Sequence, residues 1–200
     1  MDMIYLGLRG SHLYGTTTED SDVDLVGVQI SPLEDVIRGR LQDNRSYETP
    51  FDVRIVELRT FVEDLISGQP YAIELVCQDP IIGNPSDFDP FCTSNISGFE
   101  GIFYNAIHQE EVSDKDLYHG LRVGIEAVEY LKHGGIVFPL DDAKFLRRVK
   151  RGGIDGGNID DKIADISHEL DTIKEVAPPD EPQVNVDAWL KGAYHDPDAF

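Results

Sequence analysis

Two aspartates, Asp22 and Asp24, stand at the start of an apolar run that continues to Val28. The run predicts a β-strand, in which residues two positions apart lie on one face with their α-carbons about 6.6 Å apart. Two carboxylates at this spacing can share hard cations, and Mg²⁺ prefers carboxylate and phosphate oxygens. The pattern therefore predicts a divalent-metal site that also accepts a phosphate-bearing ligand.

An Asp-x-Asp triplet alone carries little information in this chain, because 24 of its 200 residues are aspartate. Chance predicts roughly three such triplets, and the sequence contains five. The triplet of Asp22 and Asp24 is distinguished by its context. Alternating apolar residues predict a strand over residues 4–9 that ends at Gly10 and Ser11. Glycine at that point lets the backbone approach a ligand closely.

A third carboxylate, Asp52, is a candidate for the same site. Phe51, Val53 and Ile55 alternate with polar residues and predict a third strand. Asp52 takes the face opposite to this apolar set, so it can join the first two carboxylates if its strand lies beside theirs. The alternative is that Asp52 only begins a strand, and the residues alone leave both interpretations open.

The segments between and after these strands predict helices. A capped helix is predicted over residues 31–39, an amphipathic one ends at Gly68, and another covers residues 71–77. A short strand is predicted around Ser46–Thr49. Residues 79–97 are rich in Pro, Asp, Asn, Gly and Ser, which is typical of a loop or a domain junction.

Beyond this loop the sequence predicts four amphipathic helices, enough for a small bundle or for a helical cover on a sheet. Their apolar stripes cover residues 99–107, 117–131, 145–149 and 159–173.

The elements together predict an α/β fold of the α+β type, in which a small mixed sheet with flanking helices is followed by a helical region. We expect a catalytic domain over residues 1–85 and a helical domain over residues 86–177. The last residues, 178–200, are predicted to form an extended tail that Trp189 pins against the body.

The charge of the chain is unusual, with 38 acidic against 17 basic residues and a net charge of −21. A surface of this kind repels nucleic acid in ordinary buffers. One explanation is a high-salt cytoplasm, where screening removes the repulsion and carboxylates keep the protein in solution. The alternative is a small-molecule substrate. The acidity is spread along the whole chain, which favours the salt explanation.

Targeting and cysteine signals are absent from the sequence. The first residues do not form a signal peptide and no apolar run reaches 18 residues, so we expect an intracellular, cytoplasmic protein without membrane contact. Cys77 and Cys92 are far apart and lack a Cys-x-x-Cys spacing, so free thiols are expected.

The residues Gly10, Ser11, Asp22 and Asp24 resemble the pattern of nucleotidyltransferases of the DNA polymerase beta superfamily. The resemblance extends over about residues 4–140. It is closest to the predicted nucleotidyltransferase branch found in phages and near RNA-repair genes. The segments that carry it are residues 51–59 with Phe61, residues 68–70, Glu74-Leu75, residues 115–122, residues 134–135 and residues 138–140.

The resemblance implies a metal-dependent transfer of a nucleoside monophosphate from an NTP, such as ATP, to an acceptor hydroxyl. It implies that Asp22, Asp24 and Asp52 hold two Mg²⁺ ions, with Mn²⁺ as the alternative metal. It also implies that Ser11 and the backbone at Gly10 bind the β and γ phosphates.

A polar stripe on the helix after residue 113 offers further nucleotide ligands. Lys115, His119 and Arg122 recur at i, i+4 and i+7, so they lie on one helix face that could hold a triphosphate or simply face water. Arg122 is preferred over His119 because a guanidinium suits phosphate geometry. The predicted nucleotide-binding set is therefore Gly10, Ser11, Lys115 and Arg122.

The sequence leaves the acceptor open among RNA ends, a tRNA, a protein hydroxyl and a small molecule. Two other classes of function also remain. One is a nucleotide- or metal-binding regulatory module without turnover, and the other is a plain structural viral or accessory protein.

The net charge generates a first prediction. Self-repulsion among 38 carboxylates destabilises the fold in dilute buffer and is relieved by screening. We expect the melting temperature to rise steeply between low salt and molar KCl, as measured by calorimetry or circular dichroism. A flat or falling curve contradicts this explanation of the acidity.

Overall fold

A computed structural model describes residues 2–19, 21–40, 45–47, 51–109, 111–154, 156–176 and 181–196. Four strands and nine α-helices lie in these described ranges, with one 3₁₀ helix at Pro85–Phe91. The elements are β1 (Asp2–Arg9), α1 (Gly10–Tyr14), β2 (Val23–Ile30), α2 (Leu33–Ile37), β3 (Arg45–Tyr47), β4 (Phe51–Glu57), α3 (Leu58–Ile66), α4 (Pro70–Val76), α5 (Ser97–Ile107), α6 (Asp114–His133), α7 (Ala143–Lys150), α8 (Gly156–Val176) and α9 (Val186–His195).

The strands form one mixed sheet in the order β1-β2-β4-β3. β1 and β2 are antiparallel, β2 and β4 are parallel, and β3 is antiparallel to β4. Helices follow the sheet along the rest of the chain, so the predicted fold class is confirmed. The parallel pair at the centre places the beginnings of β2 and β4 at the same edge of the sheet.

One face of the sheet is buried under helices. Tyr5, Val26, Val28 and Val56 lie on this face and are almost fully buried. α3 packs against β2 and β4, and α4 packs against β1. Because side chains alternate along a strand, Asp24 shares this face with Val26 and Val28. The metal-binding candidates therefore lie on the core side of the sheet, at the end that the helices leave open.

The apolar set of β4 lies on the other, less covered face. Phe51 is 46% exposed, and Val53 and Ile55 are only half buried. The prediction that Asp52 takes the face opposite to these three residues is confirmed. In this strand the core-facing apolar residue is instead Val56, which is 1% exposed.

The buried core continues across the boundary predicted near residue 85. Tyr5 packs edge-on against Phe88, with 5.6 Å between the ring centroids, and Phe88 contacts Phe61 at 5.0 Å. Phe99 and Leu121, from α5 and α6, belong to the same apolar cluster. The division at residues 85 and 86 stays a prediction, and the side chains on its two sides share one core.

The C-terminal segment differs from the extended tail that we expected. Residues 186–195 form α9, capped by the Asn185 side chain, which accepts a hydrogen bond from the amide of Ala188 at 2.9 Å. Trp189 packs edge-on against Phe91 at 4.7 Å, which confirms the predicted anchoring. The helical spacing of Leu190, Ala193 and Tyr194 was the missed signal; residues 177–180 and 197–200 lie outside the described part.

Smaller differences concern the connections. The chain forms the five-residue helix α1 directly after β1, at the Gly10-Ser11 pair where the first strand was predicted to end. The predicted loop after residue 79 contains the 3₁₀ helix. The short strand expected around Ser46 is β3, and Thr49 lies outside the described residues. None of the helices in the described ranges has the length and apolarity needed to cross a bilayer.

Candidate active site

The register of the two central strands brings two of the predicted ligands together. Asp24 of β2 is the direct partner of Asp52 on β4, so their side chains leave the sheet on the same face. Asp22 comes two residues earlier, just before β2 begins. On the other side, Arg9 of β1 pairs with Asp24. The open edge of the sheet therefore carries two adjacent carboxylates with a guanidinium beside them.

Gly10 fits closely against the Asp24 carboxylate. Its φ of +69° is favourable only for glycine, and a β-carbon built there would lie 2.0 Å from Asp24 Oδ2. Any side chain at this position would displace the carboxylate. The glycine predicted from the sequence to allow close approach thus makes room for the predicted metal ligand.

These residues line a cleft of about 640 Å³, a volume suited to a small-molecule ligand. All three aspartates contribute to its wall, together with Gly10 and Ser11 from the start of α1. Lysine and arginine side chains contribute as well. They are Arg9, Arg54, Lys115, Arg122 and Lys150. The cleft therefore combines carboxylates that suit a cation with basic groups that suit phosphate oxygens.

The charges around Asp24 oppose its ionisation. Partial burial raises the pKa of this carboxyl, and the neighbouring Asp52 carboxylate raises it further, while Arg9 acts in the opposite direction. A bound cation would relieve the same repulsion. Asp24 is thus held in an electrostatic environment that favours the arrival of positive charge.

The donor set fits Mg²⁺ in chemistry and placement, because three carboxylates share one cleft and Gly10 leaves space for Asp24. The side chains are not closed on a common point. Within the ranges that the structure describes, no three His, Cys, Asp or Glu side chains form a ready metal-binding group. Repulsion between unneutralised carboxylates is the physical reason to expect such an open arrangement.

A buried ion cluster forms the wall behind the cleft. Arg122 Nη1 donates to Glu74 Oε1 and to Glu126 Oε2, each at 2.6 Å. The Tyr14 hydroxyl donates to Glu74 Oε2 at 2.7 Å, and the guanidinium carbon of Arg122 lies 4.1 Å from the centre of the Tyr14 ring. The cluster connects α1 to α4 and α6, so it fixes the helix that carries Gly10 and Ser11.

The two glutamates of this cluster have opposite protonation preferences. Burial opposes the ionisation of Glu74, but the charge of Arg122 and the Tyr14 hydrogen bond outweigh it and lower the pKa. Burial raises the pKa of Glu126 well above its usual range, and Arg122 only partly offsets this effect. Glu126 Oε1 has no hydrogen-bond partner among the described residues, in keeping with a neutral carboxyl group.

His119 extends the cluster toward the cleft. Its Nδ1 lies 3.1 Å from Arg122 Nη2, and since a guanidinium can only donate, Nδ1 is the acceptor. His119 is exposed as a residue, but partial desolvation of its ring and the adjacent Arg122 charge lower its pKa to about 4. The neutral ring therefore carries its proton on Nε2 at neutral pH.

The predicted nucleotide ligands on α6 occupy different environments. Lys115 is exposed at the mouth of the cleft, where its ammonium is open to a ligand. Arg122 is only 4% exposed, and its Nη1 is committed to two carboxylates. Direct phosphate binding by these two residues stays a prediction; the structural contacts of Arg122 assign it a role in holding the cleft wall.

Several residues of the site were missed in the sequence. Arg54 is two positions after Asp52, so the strand period alone could have placed it on the same face. Arg9 could have been found in the same way from the alternation of β1. Lys150 and Glu74 had no such signal, since they come from helices far away in the sequence.

The sheet, the Gly10-Ser11 pair and the three aspartates all lie in the part of the chain that matches a known family. The family described as "RlaP: RNA repair pathway DNA polymerase beta family" matches residues 1–82. The matched residues include Gly10 and Ser11, called here the Gly-Ser turn, and all three aspartates. It confirms, for that part of the chain, the resemblance to the DNA polymerase beta superfamily.

A relative with a longer chain comes from Enterobacteria phage T4, where it is described as "Uncharacterized 38.9 kDa protein in nrdC-mobD intergenic region". It is 30% identical over 182 residues, covering 80% of the present chain. The present chain spans about half the length of this phage protein. The similarity supports the association with phages that the sequence suggested.

The raised pKa of Asp24 generates a prediction for stability. Because the pKa is raised in the folded state, the protein loses stability as the pH rises through that value, and Asp24→Asn removes this loss. In EDTA at neutral pH we expect Asp24→Asn to raise the free energy of unfolding, because the amide carries no charge for burial or Asp52 to oppose.

The gain should disappear when the pH falls below the ordinary aspartate value of 3.8. Urea unfolding across this pH range measures it, with the exposed Asp160→Asn on α8 as the matched control. If the wild-type protein is instead more stable than Asp24→Asn at neutral pH, attraction between Asp24 and a nearby cation such as Arg9 outweighs the effects of burial and of Asp52.

Proposed function

We propose that the chain is a metal-dependent nucleotidyltransferase that transfers a nucleoside monophosphate from an NTP to an acceptor hydroxyl. The observation that carries the proposal is the register of β2 and β4, which sets Asp24 beside Asp52 in a cleft that also contains the Gly-Ser turn. The family match over residues 1–82 supports the same class of reaction.

The residues at the open edge of the sheet would hold the metal. Asp22, Asp24 and Asp52 supply hard oxygen ligands, for which Mg²⁺ is the preferred ion and Mn²⁺ the alternative. When bound, such ions neutralise charge on the transferred phosphoryl group and on the attacking and leaving oxygens. The fit rests on the donor chemistry and on the space that Gly10 leaves beside Asp24.

The rest of the cleft would orient the nucleotide. Ser11 and the backbone at Gly10 bind the outer phosphates, and Lys115 and Arg9 add positive charge along the triphosphate. The Tyr14 and Arg122 cluster keeps α1 in position, so the Gly-Ser turn stays fixed while phosphate binds and leaves. Fixed donors lower the reorganisation needed to reach the transition state.

The reaction makes one bond and breaks another at the α-phosphorus. The acceptor oxygen forms a bond to phosphorus while the bond to the bridging oxygen of the β-phosphate breaks, and pyrophosphate leaves with that electron pair. The proton of the acceptor hydroxyl passes to water as the new bond to phosphorus forms. In-line geometry is expected for such a displacement.

A nucleotide-binding module without turnover is the second candidate. One observation favours it: among the residues described, the carboxylates are not gathered into a ready metal-binding group. Such a module would be stabilised by NTP and Mg²⁺ in a thermal shift assay, yet it would transfer no label to an acceptor.

The test is transfer of label from an α-labelled NTP in the presence of Mg²⁺ and a cell extract. We expect Asp22→Asn, Asp24→Asn and Asp52→Asn each to reduce labelling by about 100-fold or more, since metal ligands supply several kcal/mol to such transition states. Folding should be retained because these groups are not part of the core.

Glu57→Gln is the informative control on the same strand. Glu57 is fully buried and bonds to the Tyr194 hydroxyl and to the amide of Arg59, so its loss should lower stability and leave transfer intact. Glu48 and Glu57 are the two neighbouring carboxylates that could replace Asp52 as the third ligand, and Glu48 lies outside the described residues. If Glu57→Gln loses transfer at a temperature where it is folded, and Asp52→Asn stays active, then the third ligand was assigned to the wrong residue.

A further inference from the structure

Positive charge is concentrated on one helix of this acidic protein. Five of the 17 basic residues fall within eight positions, at Lys144, Arg147, Arg148, Lys150 and Arg151. The chain as a whole carries a net charge of −21. We call these five residues the α7 basic row. The positive charge of this row is opposite in sign to the net charge of the chain.

The helix presents these side chains outward because its apolar residues face the core. Leu146 and Val149 are at most 2% exposed, and they anchor α7 against the body. Lys144 and Arg151 are exposed at the two ends of the row and line one shallow surface groove with Arg147 and Arg148. At 1.5 Å per residue, the row from Lys144 to Arg151 extends about 10.5 Å.

The charge of the row is largely uncompensated. In contrast, three lysines of the helical region are paired, Lys132 with Glu169, Lys162 with Asp142 and Lys174 with Glu100. Within the described ranges, no carboxylate lies within salt-bridge distance of any member of the row. Arg148 shares a small pocket with Asp161 and Asp165, and Lys150 lines the cleft that contains the three candidate aspartates. Lys144, Arg147 and Arg151 share no such pocket in the described part of the chain, and a surface of this kind favours an anionic partner.

The row leads into the candidate active site. Lys150 Nζ lies 5.4 Å from the centre of the Tyr118 ring, and both residues line the cleft that contains Asp24 and Asp52. Lys150 therefore places one cation of the row in the wall of the cleft, next along α7 to the four that line the groove.

We propose that the α7 basic row binds the phosphodiester backbone of a single nucleic-acid strand whose terminal hydroxyl enters the cleft as the acceptor. This inference rests on the proposed function and names the class of its acceptor. A small acceptor would occupy the cleft alone and would need no row outside it. A row of cations that extends over about 10.5 Å outside the cleft instead suits a polyanion whose phosphates follow one another along a chain.

The net charge of the chain is compatible with this partner. Repulsion from distant carboxylates is screened beyond about 10 Å at 0.1 M salt, whereas direct contacts between guanidinium and phosphate groups are screened much less. Phosphate contacts also position a strand without reading its sequence. The α7 basic row therefore acts as a local binding surface on a protein that otherwise repels polyanions.

The experiment is a fluorescence anisotropy titration of wild-type protein with labelled single-stranded RNA and with DNA of the same sequence over a series of salt concentrations. The test variant combines Lys144→Ala, Arg147→Ala and Arg151→Ala, all outside the cleft. The control combines Arg38→Ala, Arg40→Ala and Lys191→Ala, which removes the same charge elsewhere on the surface.

We expect the row variant to bind more weakly than the control. The slope of log K against log salt should change by about 2, since each cation contributes roughly 0.7 for a single strand. Binding of either strand with this dependence supports the proposal. Equal slopes for the row variant and the control overturn it. Equal, row-dependent binding of poly-glutamate also overturns it, because the surface would then recognise acidic protein.

Failure of this inference can be separated from failure of the proposed function. Both variants should retain wild-type melting and stabilisation by NTP with Mg²⁺, because none of the substituted residues lines the cleft. If transfer to a small acceptor proceeds and strand binding ignores α7, the inference is wrong and the function stands. If strand binding depends on α7 and no transfer occurs, the proposed function is wrong.

Discussion

The parallel register of β2 and β4 is the constraint from which the site follows, because it holds Asp24 and Asp52 side by side on one face of the sheet. Partial burial raises the pKa of Asp24, and the like charge of Asp52 at this spacing raises it further. The sheet can maintain this arrangement because Val26, Val28 and Val56 continue the same face into a well-packed core. Apolar packing thus offsets the unfavourable free energy of the repulsion, and a bound cation would remove the repulsion.

The second determinant is the buried cluster around Arg122, which couples the sheet-bearing part of the chain to the helices. Its bond to Glu74 fastens α6 to α4, its bond to Glu126 lies within α6, and its stacking on Tyr14 fastens α1. Removing one member of such a cluster leaves an uncompensated buried charge, which typically costs about 3–5 kcal/mol. The Gly-Ser turn at the start of α1 is therefore held by contacts from residues distant in the sequence, and the cleft and the helical region form one structural unit around it.

The sequence was most informative where a local period decides the geometry. The two-residue alternation of strands predicted that Asp24 and Asp52 share a face, and it predicted the bounds of β4. The apolar stripes predicted α3, α5 and α6. Local patterns do not predict contacts between distant segments: nothing near Glu74 indicates that Arg122 will bury its guanidinium there. α9 was missed because prolines precede a short helix, and the role of the α7 basic row appears only when Lys150 is seen in the cleft wall.

The cleft carboxylates are proposed to bind a divalent cation. Mn²⁺ binding measured by electron paramagnetic resonance tests this most directly, because the free ion gives a signal that is lost on binding. We expect wild-type protein to deplete the free Mn²⁺ signal at a defined stoichiometry, and we expect Mg²⁺ to compete for the site. A variant that combines Asp24→Asn with Asp52→Asn should lose this site, while Asp160→Asn should retain it. Equal depletion by the double variant and the wild-type protein would contradict the account, because the bound cation would then belong to the acidic surface and not to the cleft.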